Sequence, residues 1–519
     1  MLEMRGADAY FLWEESRARH MHTLKIIVVD PSTAHENATF ARVREGAAHA
    51  LSALLAFRRR PVRAPFGLGH PFWLDAPVLD IDYHFRHEVL PAGAGEEALD
   101  EFVGRVASEP LDETHPLWQI FFVEGLPGGR IAYVTKIHHA VADGIASAEL
   151  LTRAFQTTPA PQPIPPASQG PNEALPSAAH RIARALQGNL SRQRELPGLL
   201  RRSLRATWRS LRWRLAGRPS PIRPFSGPKT RFNRPITPNR SYAHITLPLS
   251  TLQQVRRAFG CSLNDVYLTL VGGAVRRYLE RRGELPAAAL TAAVPVSVRS
   301  PTEDPTFGNA TNYWFASTGS NHADPVERLR AVATSTRAAR EQFAVQDPRL
   351  AIDWLDHWTL RRLYLDGFQK LAALLLRRPS YHLIVSNVRG PQQPLFSDGA
   401  RVVAMRSMGP LTLQQGLNVT AWSYLDEFAI GVHACREHAP DLRSLTQDFR
   451  LELDALSAAA ARLAPHERGD APRGNAAPDP ASPGSLPPTG PRGAPRPAEA
   501  PPAAAPSRPD ASNPRARRE

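Results

Sequence analysis

The sequence predicts an α/β protein of two halves that are joined by a long helical linker and followed by a disordered tail. Segments that alternate like strands occur together with segments of helical period on both sides of a proline-flanked middle region. The chain of 519 residues is also longer than one hydrophobic core usually supports. The predicted boundaries are residues 1–155 and 241–460 for the two halves, 156–240 for the linker and 461–519 for the tail.

The predicted linker carries the charge of the whole chain. Residues 156–240 contain 15 Arg and one Lys against two Glu, an excess equal to the formal net charge of +14 for the full sequence. Proline-rich runs at 159–166 and 219–228 lie near its two ends, which is typical of a connection between domains. Basicity is therefore a property of the linker and not of the two halves.

An amphipathic helix is predicted within the linker. Its apolar positions recur at steps of three or four residues: Leu200, Leu204, Trp208, Leu211 and Leu215. Arginines occupy its other faces: Arg202, Arg205, Arg209 and Arg212. Such a helix either adsorbs to an anionic lipid surface or packs its apolar stripe on the two halves, and the sequence leaves both open. Nucleic acid is not expected as a partner, because no nucleic-acid-binding motif accompanies the arginines.

The tail, the cysteine content and the lack of long apolar segments restrict the class of protein. Residues 461–519 hold 15 of the 50 prolines and almost no large apolar side chains, so they are predicted to be disordered. Cys261 and Cys435 are the two cysteines, which argues against a disulfide framework and is compatible with the cytoplasm. Residues 1–16 do not resemble a secretory signal, and no apolar segment approaches about 20 residues, so membrane contact is expected to be peripheral.

Residues 138–144 read His-His-Ala-Val-Ala-Asp-Gly and contain the strongest candidates for catalysis. The preceding segment, Ile131–Ile137, alternates like a strand, so His138 and His139 are predicted to point to opposite sides of a sheet. His139 is the candidate general base, and Asp143 in the following turn is its structural partner. A buried histidine without chemistry is the alternative. A metal site is disfavoured, because adjacent histidines on a strand diverge and no further ligand lies at metal spacing.

The second half is predicted to mix strands and helices as well. Strands are predicted at 242–247, 290–298, 312–317, 381–386 and 417–424. Helices are predicted at 263–281, 325–341 and 351–377. Neither a Gly-rich phosphate loop nor a Gly-x-Ser-x-Gly elbow occurs, which argues against a kinase, a dehydrogenase or a serine lipase.

Further fragments accompany the histidine motif in order along the chain: Asp8–Leu12, Asp82–Arg86, Pro116–Trp118, Asn264–Val266, Pro295–Arg299, Gly308–Asn309, Ser386–Pro391 and Gly416–Val419. The ordered set resembles the bacterial wax ester synthase/diacylglycerol O-acyltransferase family. The histidine motif alone is shared with chloramphenicol acetyltransferase-like enzymes and peptide-synthetase condensation domains. One position departs from the family pattern, because Arg389 stands where proline is usual, which puts the fit of the substrate in question.

The resemblance implies two chloramphenicol acetyltransferase-like sandwich subdomains with the reaction centre between them. It implies an O-acyltransferase, a diacylglycerol O-acyltransferase or wax ester synthase, that needs no cofactor. A long acyl chain would pass from acyl-CoA, the co-substrate, to diacylglycerol or a fatty alcohol without a covalent intermediate. His139 would take the hydroxyl proton, and Asn264 would donate a hydrogen bond to the developing oxyanion.

Roles are also assigned to neighbours of the motif. Asp143 is expected to orient the motif, with Arg299 as a partner. Gly144 would let the acyl chain pass close to the backbone. Trp118 either lines an apolar channel or is an ordinary core aromatic, and His138 is assigned to substrate binding.

Two other functions are kept as alternatives. One is a related acyltransferase whose acyl donor is bound to a carrier protein, and the other is a catalytically inactive protein that binds lipid surfaces. The expected location is the cytoplasm, with peripheral attachment to the inner face of the cell membrane or to lipid droplets. The preferred acceptor, the acyl length and the oligomeric state do not follow from the sequence.

Overall fold

The computed structural model describes the following residues: 1–34, 39–52, 54–75, 79–160, 173–218, 222, 226–300, 303, 307–357, 378–412 and 415–463. These residues contain fifteen strands and twelve α-helices. The predicted tail from residue 464 onwards lies outside them, as do parts of both proline-rich runs and residues 358–377 of a predicted helix.

The strands, numbered along the chain, are β1 Leu2–Glu3, β2 His22–Asp30, β3 Arg59–Val62, β4 Phe72–Asp75, β5 Phe85–Val89, β6 Trp118–Glu124, β7 Ile131–His138, β8 Arg240–Pro248, β9 Thr291–Ser297, β10 Thr311–Ser317, β11 Leu383–Arg389, β12 Phe396–Ser397, β13 Ala400–Met408, β14 Leu417–Tyr424 and β15 Glu427–Cys435. The α-helices are α1 Gly6–Glu14, α2 Phe40–Ser52, α3 Leu55–Arg58, α4 Ile81–His84, α5 Glu96–Ala107, α6 Gly144–Ala154, α7 Ala178–Leu215, α8 Leu249–Phe259, α9 Leu263–Glu280, α10 Pro325–Val345, α11 Leu350–Asp356 and α12 Leu442–Arg462. The described residues belong to one compact unit.

The structure confirms the predicted strands and helices whose apolar residues recur with a clear period. The strand predicted before the histidine motif is β7, and the strand predicted at 417–424 is β14. The helix predicted at 263–281 is α9, and the one predicted at 325–341 is α10, which continues to Val345. β15 is not among the strands that the sequence predicted, and all of its residues except Glu427 are buried.

The first six-stranded sheet combines strands from both halves. Its order is β12–β13–β2–β7–β6–β5, and β13 pairs with β2 in antiparallel register from Arg401 opposite Asp30 to Met408 opposite Leu24. β12 and β13 lie within residues 241–460, yet they complete the sheet of the first half. Periodicity shows that a strand is buried but not which sheet it joins, so this exchange could not be predicted. Main-chain hydrogen bonds thereby tie the two halves together.

The second six-stranded sheet has the order β10–β9–β11–β14–β15–β8. Its strand β11 runs parallel to β9 and β14, and its other pairs are antiparallel. Helices α8, α9, α10 and α12 cover one face, where Leu268, Val275 and Phe449 belong to a large buried core. Trp422 and Tyr424 of β14 belong instead to the core of the first sheet. The two sheets therefore share packed side chains.

Strand parity separates two cores on the first sheet. Tyr133 and Ile137 of β7 pack in a core with Trp118, whereas Ala132 and Val134 pack with α5 on the other face. Residues with odd numbers on β7 thus face the side predicted for His139. β2, the neighbour of β7, follows the same alternation, with Ile27 on the Tyr133 side.

The predicted linker contains the long helix α7, which spans 38 residues. Leu199 and Ala206 are buried on its inner side, and Arg202 forms ion pairs with Asp347 and Asp353 at 2.7 Å. The five side chains of the predicted apolar stripe are 45–76% exposed. The stripe therefore does not pack on the described part of the protein. None of the described helices is long and apolar enough to span a membrane alone, and α8 with α9 reaches that criterion only as a pair bent by 105°.

A buried ion pair fixes α12 against α10. Arg328 on α10 and Glu452 on α12 are almost fully buried and bond to each other, and Arg277 on α9 donates to Glu452 at 2.6 Å. Three helices that cover the second sheet thus meet at one carboxylate.

Replacing Glu452 by Gln is expected to lower the free energy of unfolding by about 3–5 kcal/mol, because it leaves the Arg328 charge buried and unmatched. Denaturation by urea measures this loss. The matched control is Glu280→Gln, which breaks the surface pair with Arg276, where Glu280 is 57% exposed. That change should cost at most about 1 kcal/mol. Equal losses in the two variants would contradict the importance of the buried pair.

Candidate active site

His139 lies directly after β7, where the first sheet meets the second half of the chain. Its backbone N–H donates to the Met21 carbonyl at 2.7 Å, which anchors it beside β2. Its ring stacks on Phe11 of α1, with ring centroids 4.1 Å apart and planes 20° apart. The side chain keeps part of its surface exposed. The ring is thus held in one orientation and is open to a ligand.

Asn309 determines which nitrogen of His139 carries the proton. The Asn309 Nδ2 group donates to Asp8 Oδ1 at 2.9 Å and to the His139 carbonyl at 2.8 Å, so the amide oxygen faces the ring. The ring Nδ1–H donates to that oxygen at 2.9 Å. Neutral imidazole has one N–H, so Nε2 carries the lone pair. A general base needs this lone pair in order to accept a hydroxyl proton.

Asp8 of α1 holds the Asn309 amide in this orientation. Its Oδ1 accepts both the backbone N–H of Asn309, at 2.7 Å, and the Nδ2–H. Burial raises the pKa of Asp8 to about 7, although the hydrogen bonds from Asn309 act in the opposite direction. In the sequence, Asp8, Phe11 and Asn309 occur within the fragments that resemble the family, and no role could be predicted for them.

The surroundings of His139 keep its ring neutral. Burial lowers the pKa of His139 to about 4, and the charge of Lys25 acts in the same direction. The Asp143 carboxylate and the hydrogen bond to Asn309 raise it in part. At neutral pH the ring is therefore unprotonated at Nε2.

His138 points to the other face of the first sheet, as parity predicts. Its Nδ1 accepts the Ala140 N–H at 3.0 Å, and its Nε2–H donates to Glu15 Oε2 at 2.5 Å. The ring is fully buried, and the protein uses both of its nitrogens. The assignment of His138 to substrate binding stays a prediction.

Asp143 joins the motif to the second half of the chain. Its Oδ1 accepts the Ala146 N–H at the start of α6 at 2.9 Å. Its Oδ2 accepts an N–H of Arg299 at 2.9 Å and the Ala310 N–H at 3.1 Å. Arg299 also donates to the Gly308 carbonyl at 2.8 Å. The carboxylate therefore fixes the segment that carries Asn309, which agrees with the orienting role expected for it.

Asn264 lies in the first turn of α9. Ser262 caps this helix in a capping box with Asp265, which fixes the first turn. Asn264 is buried, and its Nδ2 has no hydrogen-bond partner among the described residues. No hydrogen bond within the described chain joins it to His139. Its two N–H donors are thus available for a ligand, and its role as oxyanion donor stays a prediction.

Trp118 and Gly144 differ in their surroundings. Trp118 is fully buried, its Nε1–H donates to the Phe57 carbonyl at 2.8 Å, and its ring stacks on His84. It is packed as a core aromatic. A Cβ added at Gly144 would meet no atom within 4 Å among the described residues. There is therefore open space beside the backbone at the start of α6, where an acyl chain was expected.

Comparison with known proteins agrees with this geometry. Residues 4–267 match the wax ester synthase/diacylglycerol acyltransferase catalytic domain, and residues 307–457 match the C-terminal domain of the same family. A Mycobacterium tuberculosis protein provisionally named diacylglycerol O-acyltransferase is 33% identical over 461 residues, which cover 88% of this chain and 90% of that protein. A Mycobacterium bovis protein with the same provisional name is 33% identical over 471 residues, which cover 88% of this chain and 90% of its own.

Solved structures show the same fold. The wax ester synthase/diacylglycerol acyltransferase from Marinobacter aquaeolei VT8 matches with a TM-score of 0.66 at 24% identity, covering 89% of this chain and 100% of that one. The first condensation domain of the calcium-dependent antibiotic synthetase matches with a TM-score of 0.55 at 17% identity, covering 89% and 96%. The predicted pair of chloramphenicol acetyltransferase-like subdomains is confirmed.

Replacing Asn309 by Ala is expected to lower kcat on the order of 10²-fold, since the lone pair is no longer held at Nε2 and a positioned base contributes 10²–10⁴-fold. Asn309→Asp keeps an acceptor at Nδ1 but adds negative charge, so the acid limb of the pH–rate profile should move to higher pH. Steady-state rates across a pH series measure both effects.

The matched control for this prediction is Asn312→Ala. Asn312 lies three residues further along, and its side chain donates to the Pro348 carbonyl instead of contacting His139. A loss of kcat as large as that of Asn309→Ala would show that general loosening of this segment, rather than the proton position, explains the result.

Proposed function

The chain belongs to the wax ester synthase/diacylglycerol acyltransferase family and is an acyltransferase, and we propose that it transfers a long acyl chain from acyl-CoA to the hydroxyl of diacylglycerol or a long-chain alcohol. The observation that carries the proposal is the chain of hydrogen bonds from Asp8 through Asn309 to Nδ1 of His139, which assigns the lone pair of the neutral ring to Nε2. Activity with acyl-CoA alone distinguishes this function from one that needs a carrier-bound acyl donor.

In the proposed reaction the acyl group passes directly from CoA to the acceptor hydroxyl. The acceptor hydroxyl attacks the thioester carbon while His139 Nε2 takes its proton, and the Nδ1–H of His139 stays hydrogen-bonded to Asn309 Oδ1. The new C–O bond forms, the C–S bond breaks, and the proton passes from His139 to the thiolate of CoA. Atoms and charge balance without a covalent acyl-enzyme. The free N–H donors of Asn264 are the candidates for stabilising the oxyanion.

The first test is an assay of purified protein with labelled acyl-CoA and either diacylglycerol or hexadecanol. His139→Ala should abolish transfer, whereas His138→Ala should keep measurable activity and lose stability, because it leaves Glu15 without its buried partner. For the wild type, kcat/KM should show no acid limb until the pH falls towards the His139 pKa of about 4, since protonation of Nε2 removes the base. An acid limb near the ordinary value of 6.5, or equal effects of the two substitutions, would speak against His139 as the base.

We also propose that α7 attaches the enzyme to an anionic lipid surface, such as the inner face of the cell membrane or a lipid droplet. The exposed apolar side chains of α7 form one stripe: Leu186, Leu190, Leu200, Leu204, Trp208, Leu211 and Leu215. At 3.6 residues per turn these positions fall within about 80° of one another. This set is called the α7 stripe.

Arginines border the α7 stripe on one side. Arg194, Arg201, Arg205 and Arg212 are exposed, and at 3.6 residues per turn they lie about 60–100° from its centre. Arg202, which was predicted on a face of the helix outside the apolar stripe, faces the protein and pairs with Asp347 and Asp353. Apolar side chains that enter the headgroup boundary beside cations that meet anionic headgroups are typical of interfacial helices.

Replacing Arg194, Arg201, Arg205 and Arg212 by Gln should weaken binding to vesicles that contain an anionic phospholipid, at about 1 kcal/mol for each charge. Vesicle flotation measures the binding, which should also fall as salt increases. The matched control removes four exposed arginines elsewhere: Arg256, Arg257, Arg443 and Arg450. If both variants and the wild type bind alike at all salt concentrations, α7 is not the lipid-binding element.

A further inference from the structure

A lysine is buried on the His139 side of the first sheet. β2 pairs with β7 so that Thr23 lies opposite Ile137 and Lys25 lies opposite Thr135. Strand alternation puts Thr23 and Lys25 on the same face as Ile137, which is the face that His139 continues. Lys25 is only 2% exposed. An ammonium group is therefore held inside the protein, on the face of the sheet that carries the predicted base.

The Lys25 ammonium has fewer hydrogen-bond partners among the described residues than it has N–H donors. Its Nζ donates to Ser407 Oγ of β13 at 2.8 Å and lies 5.3 Å from the ring centre of Trp422. It forms no salt bridge with any described residue. An ammonium has three N–H donors, and burying it without an anion is costly. One hydrogen bond to a neutral hydroxyl and one contact with an aromatic ring leave this charge without an anion to balance it.

Thr23 adds a second donor on the same face. Its side chain is buried, and its Oγ1 has no hydrogen-bond partner among the described residues. Thr23 and Lys25 are two residues apart on β2, which at a strand rise of about 3.3 Å places their Cα atoms about 7 Å apart. Thr23 is the nearer of the two to His139 along the strand. The two side chains thus offer donors to an acceptor atom that the described residues do not supply.

We propose that Lys25, assisted by Thr23, stabilises the negative charge that develops on the thioester oxygen during acyl transfer. The proposal rests on the function proposed above. Diacylglycerol and fatty alcohols bring no anion to the site, and the phosphates of CoA lie at the end of that molecule remote from the thioester, whereas the reaction itself generates negative charge on the thioester oxygen. As the hydroxyl adds to the carbonyl carbon, the C=O electron pair moves to the oxygen and the proton moves to His139. When the carbonyl re-forms, the C–S bond breaks and the thiolate takes that proton.

The charge interactions of Lys25 with His139 and Asp143 support a position of its ammonium group close to the reacting atoms. The charge of Lys25 is one of the causes that lower the pKa of His139, and the Asp143 carboxylate raises the pKa of Lys25. Burial dominates and lowers the pKa of Lys25 to about 8. The side chains contributed by the packed strands β7, β13 and β14 are Thr135, Ser407 and Trp422, which are neutral. Among the described residues, Asp143 is the titratable group that acts on Lys25, and Lys25 in turn acts on His139.

The decisive variant is Lys25→Met, which keeps the length of the side chain and removes the charge. We expect kcat to fall on the order of 10²-fold, as for loss of one oxyanion donor, with little change in KM. The thermal midpoint should stay equal or rise, because a buried unmatched charge is removed. A merely structural lysine would give the opposite pattern, with stability and activity lost together.

The pH profile gives a second readout that a structural role would not move. In the wild type, kcat should fall as the pH rises through the Lys25 pKa of about 8, because the ammonium form is the active one. Lys25→Met should lack this alkaline limb, and Lys25→Arg should keep activity and move the limb to higher pH. An alkaline limb that persists in Lys25→Met would overturn the proposal.

A comparison of two acceptor substrates distinguishes the oxyanion role of Lys25 from a role in binding the acceptor. The same variants are assayed with hexadecanol and with 16-hydroxyhexadecanoate, which carries a carboxylate. Equal losses with both acceptors support the oxyanion role, whereas a loss confined to the hydroxy acid would show that Lys25 binds an acceptor carboxylate and would overturn it. If the wild type transfers no acyl group from acyl-CoA to any acceptor, the proposed function itself fails. Full activity of Lys25→Met beside an inactive His139→Ala would refute only the role of Lys25.

Discussion

The ion pair between Asp143 and Arg299 holds together the two segments from which the site is built. Asp143 caps the start of α6 with one oxygen and binds Arg299 and the Ala310 N–H with the other. Because Arg299 also holds the Gly308 carbonyl, the next residue, Asn309, is fixed against His139. The base is therefore prepared by a contact between residues 170 positions apart in the chain. Loss of this carboxylate would affect the proton position at His139 without touching the ring.

The buried polar groups at the site differ in how many of their donors and acceptors have hydrogen-bond partners, and this difference agrees with their proposed roles. His138 uses both ring nitrogens within the protein, and Asp143 accepts several hydrogen bonds, which is typical of groups that orient others. Asn264 and Lys25 retain unused donors. In a folded protein such groups are costly, and they are retained where a ligand or a transition state completes them. The pairing of β13 with β2 in the first sheet and the large core of the second half offset the cost of these unused donors.

Much of the architecture and part of the site could be predicted from the sequence. The strand period before the histidine motif fixed the opposite orientations of His138 and His139, and turn chemistry together with the resemblance indicated Asp143 and Arg299. Asn309 and Asp8 could not be assigned roles, because hydrogen bonds between distant segments leave no local period. The place of β13 in the first sheet was missed for the same reason. Lys25 has no place in any motif of the sequence, and only the pairing of β2 with β7 shows which face of the sheet it occupies.

The orientation of α7 connects the site to the physical state of its substrates. The helix is fixed on one side by Leu199, Ala206 and the Arg202 ion pairs, so the fold does not need the opposite side to be apolar. Seven large apolar side chains nevertheless lie along that side. Fully burying one leucine contributes about 1.5–3 kcal/mol, so leaving the stripe in water forgoes a substantial stabilisation. A lipid surface would recover it, and it is also where diacylglycerol and long-chain alcohols reside, since neither dissolves appreciably in water. Attachment through α7 would hold the enzyme at the interface from which its acceptor must enter.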